Sequence, residues 1–344
     1  MTSIITHEQA FWQRHRAASF EQSTKSGQLA ARLPRIAYNG RAGSNRFSDS
    51  PLSCHPILFI LVSRVAMENS PSRFVSDLRQ LVREDARPIL PCGSTTKSAL
   101  SRSQAGCLRI DMRPLAGIVA YDPSEFLITA RAGTPVGDLM TSLARHGQYL
   151  PFDPLFVEAG ATVGGTIASG ISGPNRLLYG SLRDFVMEVE LIDGLGKLVR
   201  GGGKVVKNAA GFDIPKMMVG SYGRMGVLTE VTLKVFPAPQ ALAVMSTQCE
   251  SLSEAVNVLQ QVMAKPFPVN AIHLCPEHRL VLQLAGPDAS LGQVQQRVQS
   301  VVPHAWVAGD MAEAEQEARR LQAWLEQAPS EQIDGAPSGG EQRA

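Results

Sequence analysis

Residues 162–173, TVGGTIASGISG, constrain this chain more than any other stretch. Gly164, Gly165, Gly170 and Gly173 stand there among alanine, serine and threonine. Side chains that small let backbone amides come close to a bound molecule, as a phosphate or a flat ring system requires. A second glycine series lies within 207–237, KNAAGFDIPKMMVGSYGRMGVLTEVTLKVFP, where Gly220, Gly223 and Gly226 precede an alternating strand pattern. A Rossmann site needs G-x-G-x-x-G after a strand and before a helix. That spacing is absent, and the three glycines stand before a strand instead. The pattern points to a dinucleotide held in another manner. A glycine-rich turn between strands stays open as the plainer alternative for 162–173.

With 344 residues, 44% hydrophobic and 19% charged, the chain has room for two compact domains and a sizeable core. Its net charge of +2 is unevenly spread: 1–66 carries 8 Lys/Arg against 3 Asp/Glu, while 308–344 carries 3 against 8. The middle is nearly neutral, which argues against a nucleic-acid groove. Five scattered cysteines without a C-x-x-C pair favour neither a zinc nor an iron–sulfur site and suit a reducing cytosol. None of the seven histidines has metal-ligand spacing with a carboxylate, so no metal site is expected. The longest apolar run, 57–62, is too short for a bilayer, and no signal-peptide pattern follows Met1.

Residues 1–66 show no sustained period and read as a disordered leader; a start at Met67 is a further expectation. Ser70-Pro71 then opens a helix with Phe74, Leu78, Leu81 and Val82 on one face. Short strands are expected at 88–91, 110–112, 117–121 and 126–132. A helix follows with Thr134 as cap and Gly147 as stop. Alternation at 187–191, a turn at Asp193-Gly194 and a return at 197–200 predict a hairpin. The prolines at 237 and 239 suggest a boundary. Beyond it the expected order is β-α-β-β-α-β, with a Ser251/Glu254 capping box, followed by a last helix at 311–326 and a polar tail.

Three smaller constellations carry possible chemistry. Gly93, Ser94, Thr95, Thr96, Lys97 and Ser98 follow an extended segment and can aim N–H and hydroxyl donors at a pyrophosphate, although the loop lacks the P-loop spacing. Lys207 and Asn208 could bind a phosphate or carboxylate, or belong to a helix-entry loop capped by Asp213. Asp184 reads equally as a ligand contact or as a partner for Arg183.

The motifs PCGSTTKS at 91–98, TVGGTIASGISGP at 162–174, YGSLRDFV at 179–186, KNAAGFD at 207–213 and GSYGRMGVLTEVTLKVFP at 220–237 resemble a flavoprotein family in order and spacing. That family is the PCMH-type FAD-binding domain of the vanillyl-alcohol-oxidase class, and within it the GlcE-type subunits of bacterial glycolate oxidases. The resemblance implies an α+β fold. Two α+β subdomains would hold FAD in 70–239, followed by a ferredoxin-like cap, incomplete at its end, in 240–327. Residues 1–69 would be an extraneous or disordered leader and 328–344 a disordered tail.

The family's first glycine loop holds the pyrophosphate, here Gly93 to Ser98. Its second lines the cofactor, here Thr162, Gly164, Gly165, Ser169, Gly170 and Gly173. Its final turn closes the adenine side, here Gly226 and Val227. No histidine lies in either loop, so the flavin is expected to be non-covalent.

The implied reaction is oxidation of glycolate, or a similar small 2-hydroxy acid, to glyoxylate. A related FAD subunit and an iron–sulfur subunit are the implied partners in a cytoplasmic complex, membrane-associated only through those partners. The resemblance assigns no catalytic residue to this chain. Its rivals are a stand-alone flavin oxidase of another small acid or alcohol, and a truncated, non-catalytic remnant.

Overall fold

A computed structural model describes residues 70–100, 106–203, 212–302 and 304–309, all within the unit Val65–Ala344. The leader 1–69, the helix expected at 311–326, the tail and residues 207–211 lie outside the described residues.

Helix α1 (Pro71–Glu84) starts with proline at its first turn and buries Phe74 and Leu78. The Ser70 hydroxyl bonds that of Ser72 at 2.8 Å and makes no bond to the helix backbone. Strand β1 (Ile89–Cys92) pairs in parallel with β2 (Leu108–Asp111), in register from Ile89↔Leu108 to Cys92↔Asp111. The connection between them carries the 93–98 loop.

Next come β3 (Ile118–Asp122), β4 (Leu127–Arg131), α2 (Val136–Ala144) and the short β5 (Gln148–Tyr149). Thr134 does not cap α2; the cap position is Pro135. The buried Thr134 hydroxyl instead donates to the Arg131 carbonyl at 2.7 Å and accepts from the Gly117 N–H at 2.9 Å, which fixes the corner between strand and helix. Gly147, at φ +63°, ends the turn as expected.

The glycine-rich stretch folds as a helix, α3 (Val163–Ser169), and corrects the reading of it as a loop. Thr162 caps it by accepting from the Gly165 N–H at 3.3 Å, and Gly170 closes it at φ +68°. The glycines serve close packing here: a β-carbon on Gly164 would lie 2.9 Å from that of Ala132. Helix α4 (Arg176–Tyr179), β6 (Val186–Ile192) and β7 (Leu198–Gly202) follow, then α5 (Ile214–Met218), β8 (Val227–Lys234) and β9 (Phe236–Pro237).

The central sheet has the order β3-β4-β8-β6-β7, with every pair antiparallel. Strand β8 sits in its middle and is buried along its length except at the partly exposed Glu230 and the exposed Lys234, so the expected alternation is weaker than its sequence suggests. Thr232 and Thr229 are tolerated there because their hydroxyls bond Thr129 at 2.8 Å and the Glu190 carboxylate at 2.9 Å. Ile128, Leu139, Ile167, Leu182, Val189 and Val231 form the core between this sheet and α2 and α3.

The last described elements are β10 (Ala241–Gln248), α6 (Leu252–Met263), β11 (Val269–Leu274), β12 (Arg279–Gly286), α7 (Asp288–Val301) and β13 (Val307–Gly309). Their sheet runs β11-β12-β10-β13, all antiparallel, which is the ferredoxin-like order the sequence predicts. Met245, Val258, Leu282, Val298 and Trp306 pack its core. Ser251 accepts from the Glu254 N–H at 3.2 Å, but the Glu254 carboxylate reaches back to the Glu250 N–H at 2.6 Å, one residue short of a full capping box.

Candidate functional site: a glycine-walled cleft

The cleft is built where three backbone segments converge. The 93–98 loop leaves β1 and turns sharply at Thr95, which stands at φ +55°. Its Ser94 hydroxyl donates to the Gly160 carbonyl at 2.6 Å, tying the loop to the chain ahead of α3. Helix α3 forms the floor. The 220–226 turn closes the far side, with the N–H groups of Gly220 and Tyr222 donating to the carbonyls of Ile167 and Ala168 at 3.1 and 2.9 Å. The second of these bonds pairs the Ala168 carbonyl at the end of α3, and the first adds to the Gly170 N–H already on the Ile167 carbonyl.

The space between is a cleft of about 240 Å³ lined by all six residues of the 93–98 loop together with Thr162, Gly165, Ala168, Ser169, Tyr222 and Gly223. A smaller hollow of about 40 Å³ adjoins it, bounded by Gly164, Gly165, Ser221, Gly223 and Gly226. Both use the absence of side chains: a β-carbon on Gly223 would lie 2.8 Å from Pro91, and one on Gly226 2.7 Å from Leu191.

Lys97 and Arg109 are the two cations among the lining residues. The Lys97 ammonium lies 5.1 Å from the centroid of the Phe156 ring and donates to the Thr96 hydroxyl at 3.4 Å. Burial alone lowers its pKa from 10.5 to about 8. No ion pair to Lys97 occurs among the described residues. A desolvated ammonium at the mouth of an amide-lined loop is complementary to a phosphate. In the smaller hollow the Ser221 hydroxyl is buried without a hydrogen-bond partner. Both observations fit a polyanionic ligand that also carries polar ring or sugar atoms.

The family model for the FAD binding domain matches residues 73–202. These residues form an FAD-binding domain. The FAD-binding domain covers the 93–98 loop, α3 and the β6–β7 hairpin. The chain is 41% identical over 208 residues to the glycolate oxidase subunit GlcE of Escherichia coli, covering 60% of this chain and 58% of that one. It is 30% identical to a D-lactate dehydrogenase of Anaerostipes hadrus, over 57% of this chain and 41% of the relative. A glycolate oxidase subunit GlcD of Bacillus subtilis is 28% identical, over 55% and 40%. The chain thus spans between two fifths and three fifths of the length of these curated relatives. Among solved structures, alkyldihydroxyacetonephosphate synthase superposes with a TM-score of 0.60 at 19% identity, covering 72% of this chain and 53% of that one. The likeness to that synthase is one of fold, and FAD is the cofactor of the matched domain.

The structure distributes the residues expected from sequence unevenly around this cleft. Gly93 to Ser98, Thr162, Gly165 and Ser169 line it, and Gly164 and Gly226 line the adjoining hollow. Gly170 serves as the left-handed stop of α3. Gly173 lies against Asp153, where a β-carbon would sit 2.4 Å from the aspartate's carboxylate oxygen. Val227 is buried in β8 opposite Ile192 and is absent from both linings. Asp184 is occupied locally, its carboxylate accepting from the Ser181 N–H at 2.9 Å and hydroxyl at 3.1 Å. Asp213 caps α5 by accepting from the Lys216 N–H at 3.2 Å.

Sequence reasoning missed Arg109 and Ala168, and it noted Gly223 in the second glycine series and Ser221 and Tyr222 in the 220–237 motif without giving them a place in the site. Arg109 enters because the parallel pairing sets it opposite Leu90, a long-range register without a local signature.

Proposed function

We propose that this chain is the FAD-binding subunit of a complex that oxidises glycolate, or a close 2-hydroxy acid, to glyoxylate. The observation that carries the reading is Lys97, a half-buried cation without an acidic partner among the described residues, at the edge of a glycine-walled cleft. Gly93, Ser94, Thr95, Thr96, Lys97 and Ser98 would hold the pyrophosphate through backbone N–H groups, hydroxyls and one positive charge. Thr162, Gly164, Gly165 and Ser169 would lie along the cofactor. Gly170 and Gly173 would act through the backbone they shape, and Gly226 and Val227 would close the adenine side.

Bound FAD supplies an acceptor for the hydride of a 2-hydroxy acid. The chain's own part is to fix that cofactor by its phosphates, exclude water with α3, and present a second sheet on the substrate side. In this reading 70–239 is the flavin domain and 240–327 the cap. On the same reading the cofactor is held non-covalently, since neither Gly93–Ser98 nor 162–173 contains a histidine to form a histidyl bond.

The likeness to GlcE and GlcD supports a setting with a related flavin subunit. An iron–sulfur subunit would take the electrons onward. Among the described residues no helix is long and apolar enough to cross a membrane. In this reading the chain is cytoplasmic and meets membranes only through its partners. The test is to co-express the tagged chain with its neighbouring flavin and iron–sulfur subunits and assay glycolate-dependent reduction of an artificial acceptor. Activity that survives omission of this chain would refute its place in the complex.

A further inference from the structure

Asp153 stands in the left-handed region at φ +53° and accepts the Gly173 N–H on its main-chain carbonyl at 2.8 Å. Its carboxyl lies against Gly173 and faces the Asn175 backbone N–H, which favours the charged form. A β-carbon on Gly173 would lie 2.4 Å from both the carbonyl and the carboxylate oxygen, so the 173–175 turn is closed around this one residue. Asn175 then reaches outward: its Oδ1 accepts from Asn270 Nδ2 at 2.8 Å. Asn270 belongs to β11, is only 2% exposed, and its Oδ1 has no hydrogen-bond partner among the described residues. Helix α4 begins at the next residue and packs on β11. A buried amide that satisfies only part of its bonding capacity contributes little net stability. Its physical value lies in direction, because a buried polar pair admits one arrangement where apolar packing admits several.

We propose that Asp153, Asn175 and Asn270 form a positioning relay that sets the second sheet relative to the end of the glycine segment. The inference rests on the reading of that sheet as a cap over the flavin's substrate side. None of the three residues lines the cleft, so the relay acts through placement and leaves cofactor affinity alone.

The test uses the full chain and hydrogen–deuterium exchange of the β11 amides, 269–274. Asn270→Ala and Asn175→Ala should each raise that exchange about tenfold, and the double variant should add little to either single. Asp153→Ala should behave like them, whereas Asp153→Asn, which keeps an acceptor oxygen, should stay near the parent. In chains loaded with FAD, iodide should quench flavin fluorescence about twofold more strongly in the alanine variants while FAD affinity stays within about twofold. General loss of stability would weaken both together. Unchanged exchange in β11, or strictly additive effects, would overturn the relay; Asn270→Ser offers a milder variant should the alanine chain fail to fold. Failure of the parent chain to take up FAD would contradict the proposed function instead, and the exchange comparison would still decide the relay.

Discussion

A β-carbon added to Gly93 would lie 2.2 Å from Oγ1 of Thr162, the oxygen that caps α3. The 93–98 loop and the glycine helix therefore meet at a contact that admits no methyl group. Thr162 is β-branched and committed to its cap, so it has little freedom to yield.

Gly93→Ala is expected to cost about 1–3 kcal/mol of stability by overpacking, read from denaturant unfolding. Thr162→Ala alone should cost about 1 kcal/mol through loss of the cap. Combined, the two should cost less than their sum, because the second removes the clash made by the first. Additive losses would mean that the loop moves away from α3 freely.

Lys97 gives a pH dependence with a definite sign. Its folded-state pKa of about 8 lies below the ordinary 10.5, so the free protein loses this charge first. A bound phosphate requires the ammonium, and binding above pH 8 must take up a proton. FAD affinity should therefore hold below pH 8 and fall up to about tenfold per pH unit above it. Lys97→Met should weaken binding about 10–100-fold near neutrality and flatten that slope. Calorimetric titration with FAD from pH 7 to 9.5 measures both, and a parallel slope in the variant would assign the effect to another group.

Asp153 moves the opposite way. Burial raises its pKa from 3.8 to about 6, against the smaller lowering by the Asn175 N–H. Between about pH 4 and 6 the folded chain keeps a proton that the unfolded chain has already lost. Stability contributed by this group therefore falls as pH rises through that window, by at most about 3 kcal/mol. Asp153→Asn should remove the slope and leave the protein more stable than the parent at pH 7. Thermal melts of both chains from pH 4.5 to 7.5 decide the matter; identical pH profiles would contradict it.

Much of this architecture is legible in the sequence because it is local. The Ser70-Pro71 start of α1, the β6–β7 hairpin at Asp193-Gly194 and the βαββαβ order after Pro239 each announce themselves through turn chemistry and periodicity. The glycine stretch is misread in one respect. Four glycines in twelve residues suggest a loop, but Thr162 and Gly170 cap a short helix whose glycines let it lie against Ala132. Thr134 fails as a cap for a related reason, since its hydroxyl is taken by Gly117, in the segment ahead of β3, a pairing that local sequence cannot see. The site divides the same way. The 93–98 loop is contiguous and readable, whereas Arg109, Ser221 and the joining of Asp153 to Asn270 depend on pairings across the fold.

The direct measurement of the central claim is titration of the purified, flavin-free chain with FAD, followed by absorbance near about 450 nm and by calorimetry. The cleft between Gly93–Ser98 and α3 predicts uptake of one FAD per chain, weakened by Lys97→Met and released intact on denaturation. A correctly folded chain that takes up no FAD, or one that binds it equally well without Lys97, would contradict this account of the cleft.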